Sequence, residues 1–317
     1  MQRSGRGDLP RSGLRKGRKM EKMKVGIVGV GLMGHGIARN IAANGWPLAY
    51  LRHPGNQPTD DLDAAGARGF DSAAEMAAES DVVLLCVTGT PQVEDVLLGS
   101  GGVLGALRPG SVVVDCSTAV PESTVALAAK VQGAGAHFVD AAMTRTPKEA
   151  EEGRLNLLIG GAPEVVARIT PLLETFSENR FHAGPPGAGH RLKLLHNFVS
   201  LGTVTLISEA AASARRSGIP DEVFVDCLRR GGGHGAGLDR LSPFLLEGAV
   251  DQMRFTINNS LKDLSYYNRM TAELGTPDLV AAAVRDTLQK LVDDGHGDIF
   301  LPEQPELMLK QAEGKSG

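Results

Sequence analysis

A chain of 317 residues, 42% hydrophobic and 22% charged, can bury a sizeable core and has room for two domains. A net charge of -4 excludes the broad basic face of a nucleic-acid binder, and no apolar run approaches the roughly 20 residues of a membrane span. Small-molecule partners are expected instead. Cys86, Cys116 and Cys227 have no CxxC spacing and read as reduced core thiols of a cytoplasmic protein, not as a disulfide framework or metal site.

Residues 1–22 are basic and glycine-rich and lack an apolar h-region, which excludes a secretory signal and predicts a disordered tail. Met20 and Met23 are equally good starts for translation, because the first strand begins there. From Met23 to about Gly184, short β-branched runs alternate with helical patterns, the signature of a parallel sheet with crossover helices. The predicted strands are Lys24 to Gly29, Leu48 to Leu51, Val82 to Val87, Val112 to Asp115, His137 to Asp140 and Leu155 to Ile159. Ser72-x-x-Glu75 reads as a capping box, and Thr90 before Pro91 as a helix start.

After the turn Pro185-Pro186-Gly187-Ala188-Gly189 the pattern is helical only. One long helix is expected from His190 to about Ser217, then helices from Asp221, about Leu261 and Pro277, with the loop Gly231-Gly232-Gly233-His234-Gly235 after the first of these three. The architecture is therefore α/β: a Rossmann-type doubly wound parallel sheet domain over 23–185, followed by an all-helical substrate and dimerisation domain over 186–317. No internal repeat is seen.

Gly29, Gly31 and Gly34 fall between the first strand and the first helix. In that setting the first glycine makes the tight turn, the second lets a pyrophosphate approach the backbone, and the third allows close helix packing. The helix N-terminus then offers unpaired N–H groups and a positive dipole end. An NAD site would place an acid about 20 residues on, against the ribose hydroxyls. Arg52-His53 stand there, whereas Asp60 and Asp61 lie too far along. An arginine pairs with the 2′-phosphate of NADP through a contact of about 1.5–3 kcal/mol, so NADP is favoured over NAD.

Lys193 and Asn197 are i, i+4 neighbours on one helix face, with Ser200 further along it. Here the residues resemble the β-hydroxyacid dehydrogenase family, which includes 3-hydroxyisobutyrate dehydrogenase, tartronate semialdehyde reductase and, more distantly, 6-phosphogluconate dehydrogenase. The resemblance runs from about Met23 to Met308. It rests on GVGLMG (29–34), DCST (115–118), DAAMTRTPKEAEEGRLNLLIGG (140–161), GxxxKxxxN (189–197) and Lys262-Asp263-Leu264, in the family's order.

The resemblance implies that Leu32, Met33, Val87, Thr88 and Thr118 line the cofactor, with Lys262 close to the nicotinamide and Thr118 also near the substrate. Lys193 would be the catalytic lysine and Asn197 would orient the substrate. The family's Ser-Gly-Gly loop, which receives the substrate's acid group, reads Thr144-Arg145-Thr146 here. A Gly-Arg-Thr loop and a similar lysine helix occur in the family's sulfolactaldehyde reductases. Arg145 and Ser200 match their sulfonate-holding residues, whereas His196 replaces an asparagine, which weakens the case for a sulfonate.

The expected activity is hydride transfer between NADP (or NAD) and a short β-hydroxy acid or its semialdehyde, with a carboxylate or sulfonate tail, in a homodimer or homotetramer. An imine reductase on the same fold is the alternative enzyme reading, and Lys193 counts against it. A non-catalytic nucleotide-binding regulator would lack the lysine or asparagine, and both are present. His190 and His196 do not share a helix face and His234 sits in the glycine loop, so no metal is expected.

Overall fold

The computed structural model describes residues 22–314, so the predicted basic tail lies, but for Lys22, outside the described residues. Eight strands form one sheet: β1 (Val25–Val28), β2 (Leu48–Leu51), β3 (Arg68–Phe70), β4 (Val82–Leu85), β5 (Val112–Asp115), β6 (His137–Thr144), β7 (Leu155–Gly160) and β8 (Ser177–Gly184). Their order is β3-β2-β1-β4-β5-β6-β7-β8. The six expected strands are present. The edge strands β3 and β8 were not expected, and β7 departs from the expected parallel arrangement by running antiparallel to β6.

Helices α1 (Leu32–Ala43), α2 (Asp60–Ala64), α3 (Ala73–Glu79), α4 (Thr90–Leu98), α5 (Pro121–Gly133), α6 (Pro147–Glu151) and α7 (Pro163–Leu173) connect the strands. Strand residues alternate between faces. Ile27, Leu84 and Val114 join one apolar cluster with Ile37 and Ile41 of α1, while Val28, Val83, Leu85 and Val113 join another with Met76, Val93 and Leu127. Ser72 caps α3 by accepting from Glu75 N at 3.3 Å.

Beyond the sheet lie α8 (Ala188–Arg216), α9 (Asp221–Arg230), α10 (Ala236–Glu247), α11 (Ile257–Leu274), α12 (Leu279–Asp293) and α13 (Gln304–Gly314). Leu201, Val204, Ile257, Leu264, Leu288 and Leu291 form the core of this helical part. The start of α11 precedes the expected Leu261 by four residues because Thr256 caps it, accepting from Asn259 N at 3.2 Å. Helix α10, which was not foreseen, fills part of the stretch after the glycine loop.

The seating of α8 on the sheet decides where Lys193 emerges. Gly189 packs so tightly that a Cβ there would lie 2.3 Å from the Leu158 carbonyl oxygen and 2.8 Å from Gly160 N. Asp140, fully buried on β6, accepts from Gly187 N at 2.7 Å and His190 N at 2.8 Å, satisfying two otherwise unpaired donors of the helix N-terminus. His190 is buried too, with Nδ1 2.7 Å from Thr124 Oγ1 and Nε2 3.9 Å from Asp115. Burial pushes the Asp115 carboxyl up, against the opposing pull of His190 and the hydrogen bonds from Ser117. The glycine of GxxxKxxxN thus lets α8 touch the sheet, and the lysine appears one turn further on.

Candidate active site

At the carboxyl end of β1 the chain turns through Gly29, whose φ of 93° favours glycine. A Cβ at Gly34 would lie 1.9 Å from the Gly29 carbonyl oxygen, whereas one at Gly31 meets nothing within 4 Å. Gly34 therefore closes the helix against the turn, and Gly31 leaves open space beside the α1 N-terminus, whose N–H groups and dipole favour an anion. Gly36, not singled out in the sequence, serves packing: its Cβ would lie 2.6 Å from the Ala150 backbone of α6. Leu32, the first residue of α1, is 65% exposed at this mouth, and Met33 packs against the core. A cleft of about 410 Å³ beside it is lined by Leu32, His35, Gln57 and Asp61 among others.

The loop after β2 forms a wall of this crevice. Asn56 Oδ1 accepts from Val30 N at 3.3 Å and Gln57 N donates to Val30 O, tying that loop to the glycine turn. Arg52 continues the β2–β3 pairing, and its Nη1 reaches Asp71 at 3.1 and 3.2 Å in an exposed ion pair. His53 Nδ1 accepts from Gly55 N at 3.0 Å.

The strand order reverses at β1 and β4, and the ends of β4 and β5 complete the crevice. Ser117 Oγ accepts from Val87 N at 3.0 Å, and Asp115 Oδ1 accepts from Ser117 N at 2.9 Å, so the DCST motif ties the two strand ends together. Thr118 follows, with its carbonyl 3.7 Å from the Cβ position of Gly89. From the helical side, Lys262 Nζ donates to Thr88 O at 2.6 Å and Tyr266 Oη accepts from Thr90 N at 3.3 Å. Helix α11 is thus fixed against the carboxyl end of β4.

Lys193 lies half-buried on α8 with no hydrogen-bond or ion-pair partner for its amine among the described residues. Burial lowers its pKa from 10.5 to about 8, with Lys262 and Arg240 adding to the lowering and Asp263 opposing it. One turn on, Asn197 is buried. Its Nδ2 donates to Asp263 Oδ2 at 2.6 Å, and its Oδ1 lies 3.0 Å from His196 Nδ1. Asp263 also lies 3.2 Å from Lys262 Nζ. The structure therefore brings Lys193, His196, Asn197, Ser200 and Lys262 to one region with two residues not singled out individually, Asp263 and Arg240. His196, though exposed, is pushed down in pKa, chiefly by desolvation, with Lys193 and Arg240 contributing and the hydrogen bond to Asn197 opposing.

The loop expected to receive the substrate's acid group is engaged elsewhere. Arg145 Nη1 pairs with Glu178 on β8 and with the Arg154 carbonyl. Thr144 Oγ1 accepts from Asn156 Nδ2 at 3.0 Å, and Thr146 donates to Glu149 from both N and Oγ1. Arg145 alone among the described non-glycine residues has positive φ, at 84°. That conformation explains the family's glycine here and costs on the order of 1–3 kcal/mol for another residue. Of the cysteines, Cys116 is buried and burial holds its thiol well above its usual pKa, but Cys227 is exposed on α9, contrary to the core position expected for it.

A glycine-turned helix N-terminus at the switch point of a doubly wound sheet, with a lysine amine of lowered pKa held where the helical part meets it, is the architecture of a nicotinamide-dependent oxidoreductase. Residues 24–184 match the NAD binding domain of 6-phosphogluconate dehydrogenase, and residues 187–299 match the family described as NAD-binding of NADP-dependent 3-hydroxyisobutyrate dehydrogenase. The chain belongs to the β-hydroxyacid dehydrogenase family of the 3-hydroxyisobutyrate dehydrogenase type. It is 29% identical to 3-sulfolactaldehyde reductase of Escherichia coli over 277 residues, 86% of this chain and 91% of that one. It is 30% identical to NAD-dependent L-serine dehydrogenase of Pseudomonas aeruginosa over 221 residues, 70% and 74% of the two chains. The crystal structure of 3-hydroxyisobutyrate dehydrogenase from Salmonella typhimurium superposes with a TM-score of 0.79 at 26% identity, covering 90% of this chain and 100% of that one. No helix among the described residues is long and apolar enough to cross a membrane.

Proposed function

We propose that the protein is a cytoplasmic enzyme that interconverts a short β-hydroxy acid and its semialdehyde, with a carboxylate or sulfonate tail, and that Lys193 is its acid/base. The observation that carries this reading is the Lys193 amine, without a partner among the described residues and with its pKa lowered to about 8, one helical turn before Asn197. The bound nicotinamide supplies the hydride acceptor or donor. In oxidation Lys193 takes the hydroxyl proton, and in reduction it returns a proton to the forming alkoxide. Asn197 holds Asp263 and His196 in place beside it, and Lys262 keeps Thr88 at the cofactor end. An NADPH and NADH oxidation screen against glyoxylate, succinic, tartronate and methylmalonate semialdehydes and sulfolactaldehyde tests this. Turnover of none of them would refute it.

NADP is the proposed preference. The Arg52–Asp71 pair is exposed and therefore weakly held, leaving the guanidinium available to a 2′-phosphate. Arg52→Asp is expected to shift kcat/KM from NADPH toward NADH by roughly 10-fold or more, because a phosphate partner becomes a repulsive charge. An unchanged cofactor ratio would make Arg52 a solvated strand end only.

A homodimer or homotetramer is proposed from the outer side of α8. At about 100° per residue, Leu195, Val199 and Leu206 share one face, opposite Lys193 and Asn197, and are 46%, 65% and 71% exposed. A second copy of the chain is the partner that would cover this stripe.

A further inference from the structure

We propose that Arg240 on α10 receives the acid group of the substrate, together with Ser200 and His196 on the facing helix. The proposal rests on the reading above that the substrate carries an anionic tail, and it assigns that tail to a residue outside the family motifs quoted from the sequence.

Helices α8 and α10 pass each other in opposite directions at Gly237, where a Cβ would come 2.7 Å from Thr203 Cγ2. Three residues along α10 and three back along α8, Arg240 Nη1 donates to Ser200 Oγ at 3.2 Å. The close crossing that only glycine permits therefore sets the guanidinium on the α8 face that carries Lys193. Lys193 and Ser200 are two turns apart, about 10 Å along the axis, and their side chains lie on the same side of the helix. A three- or four-carbon acid would place its hydroxyl carbon at the Lys193 end and its oxyanion at the Arg240 end.

Charge points the same way. Arg240 is half-buried and has no carboxylate partner among the described residues, and its field reaches both Lys193 and His196. Arg145, by contrast, is already neutralised by Glu178. A cluster of Lys193, Lys262 and Arg240 with Asp263 as its buried counter-charge is left net positive, and a guanidinium suits a carboxylate or sulfonate through two parallel hydrogen bonds. Ser200 Oγ, which accepts from Arg240, still has its own proton to donate to the same anion.

The test compares KM and kcat of the wild type, Arg240→Gln, Arg240→Lys and Arg145→Gln for succinic semialdehyde, sulfolactaldehyde and the uncharged propanal. Arg240→Gln is expected to raise KM for whichever charged aldehyde the wild type prefers by about 10- to 100-fold, the worth of a charge-assisted contact, with a smaller change for propanal. Arg240→Lys should recover part of the loss, and Arg145→Gln should raise KM less than Arg240→Gln does. NADPH affinity, read by fluorescence, reports whether the variant remains folded and binds cofactor. Unchanged discrimination between charged and neutral aldehydes in folded Arg240→Gln would overturn the assignment alone. A wild type that turns over propanal as well as either charged aldehyde would overturn the anionic-substrate reading, and this assignment with it.

Discussion

Lys193→Ala is expected to lower kcat by about 100-fold to 10,000-fold, the range of a positioned general acid/base, with cofactor affinity little changed. The amine has no partner among the described residues that its loss would strand, so the variant should fold, and the deficit should appear in turnover. The wild-type pH dependence is a second check. With the amine near 8, kcat/KM for hydroxy-acid oxidation, which needs neutral lysine, should rise as pH increases through about 8. Aldehyde reduction, which needs the ammonium, should fall over the same interval. Near wild-type turnover by the alanine variant, or parallel profiles in the two directions, would remove Lys193 from proton transfer.

Asp140→Ala is expected to destabilise the fold by about 3–5 kcal/mol, because two buried backbone donors at the start of α8 lose a charged acceptor and His190 loses a neighbouring charge. Asp140→Asn keeps an acceptor oxygen for one of the two donors and should lose less. Urea unfolding followed by circular dichroism measures the difference, with an unchanged m-value as the sign that the comparison is sound. A midpoint shift equivalent to less than about 1 kcal/mol, the net worth of one ordinary hydrogen bond, would show that the glycine contact alone seats the helix.

The central strands were legible because both of their faces are buried, which leaves unbroken apolar runs such as Val82–Leu85 and Val112–Val114. The edge strands were not. Arg68-Gly69-Phe70 is too short to show a period, and β8 reads Ser-Glu-Asn-Arg-Phe-His, joined to the sheet through its backbone rather than by apolar side chains. The reversal at β7 is fixed by the path of the connecting chain, and side-chain pattern carries no mark of it. Helix α10 was hidden by Gly235, Gly237 and Pro243, which depress its apparent propensity, and Arg240 was hidden with it. Lys193 and Asn197 could be placed on one face from their spacing alone, but the buried Asp263 beneath them depends on how α11 packs against α8. Arg145 stood out as a departure from the family loop's glycine, yet only the tertiary structure shows the left-handed backbone there and Glu178 beside it.

Helix α8 can be regarded as a rod fixed to the sheet at its base and packed among the other helices along the rest of its length. Its 29 residues extend about 44 Å, and the grip at Asp140 and Gly189 lies at the base. Lys193 sits about 8 Å from that base and Leu206 about 27 Å from it, so a sideways displacement of 1 Å at Leu206 moves the amine by only about 0.3 Å if the rod pivots rigidly. The reactive group is thus close to the fulcrum. Were the helical part to tilt as one body about that base, the amine would stay nearly still.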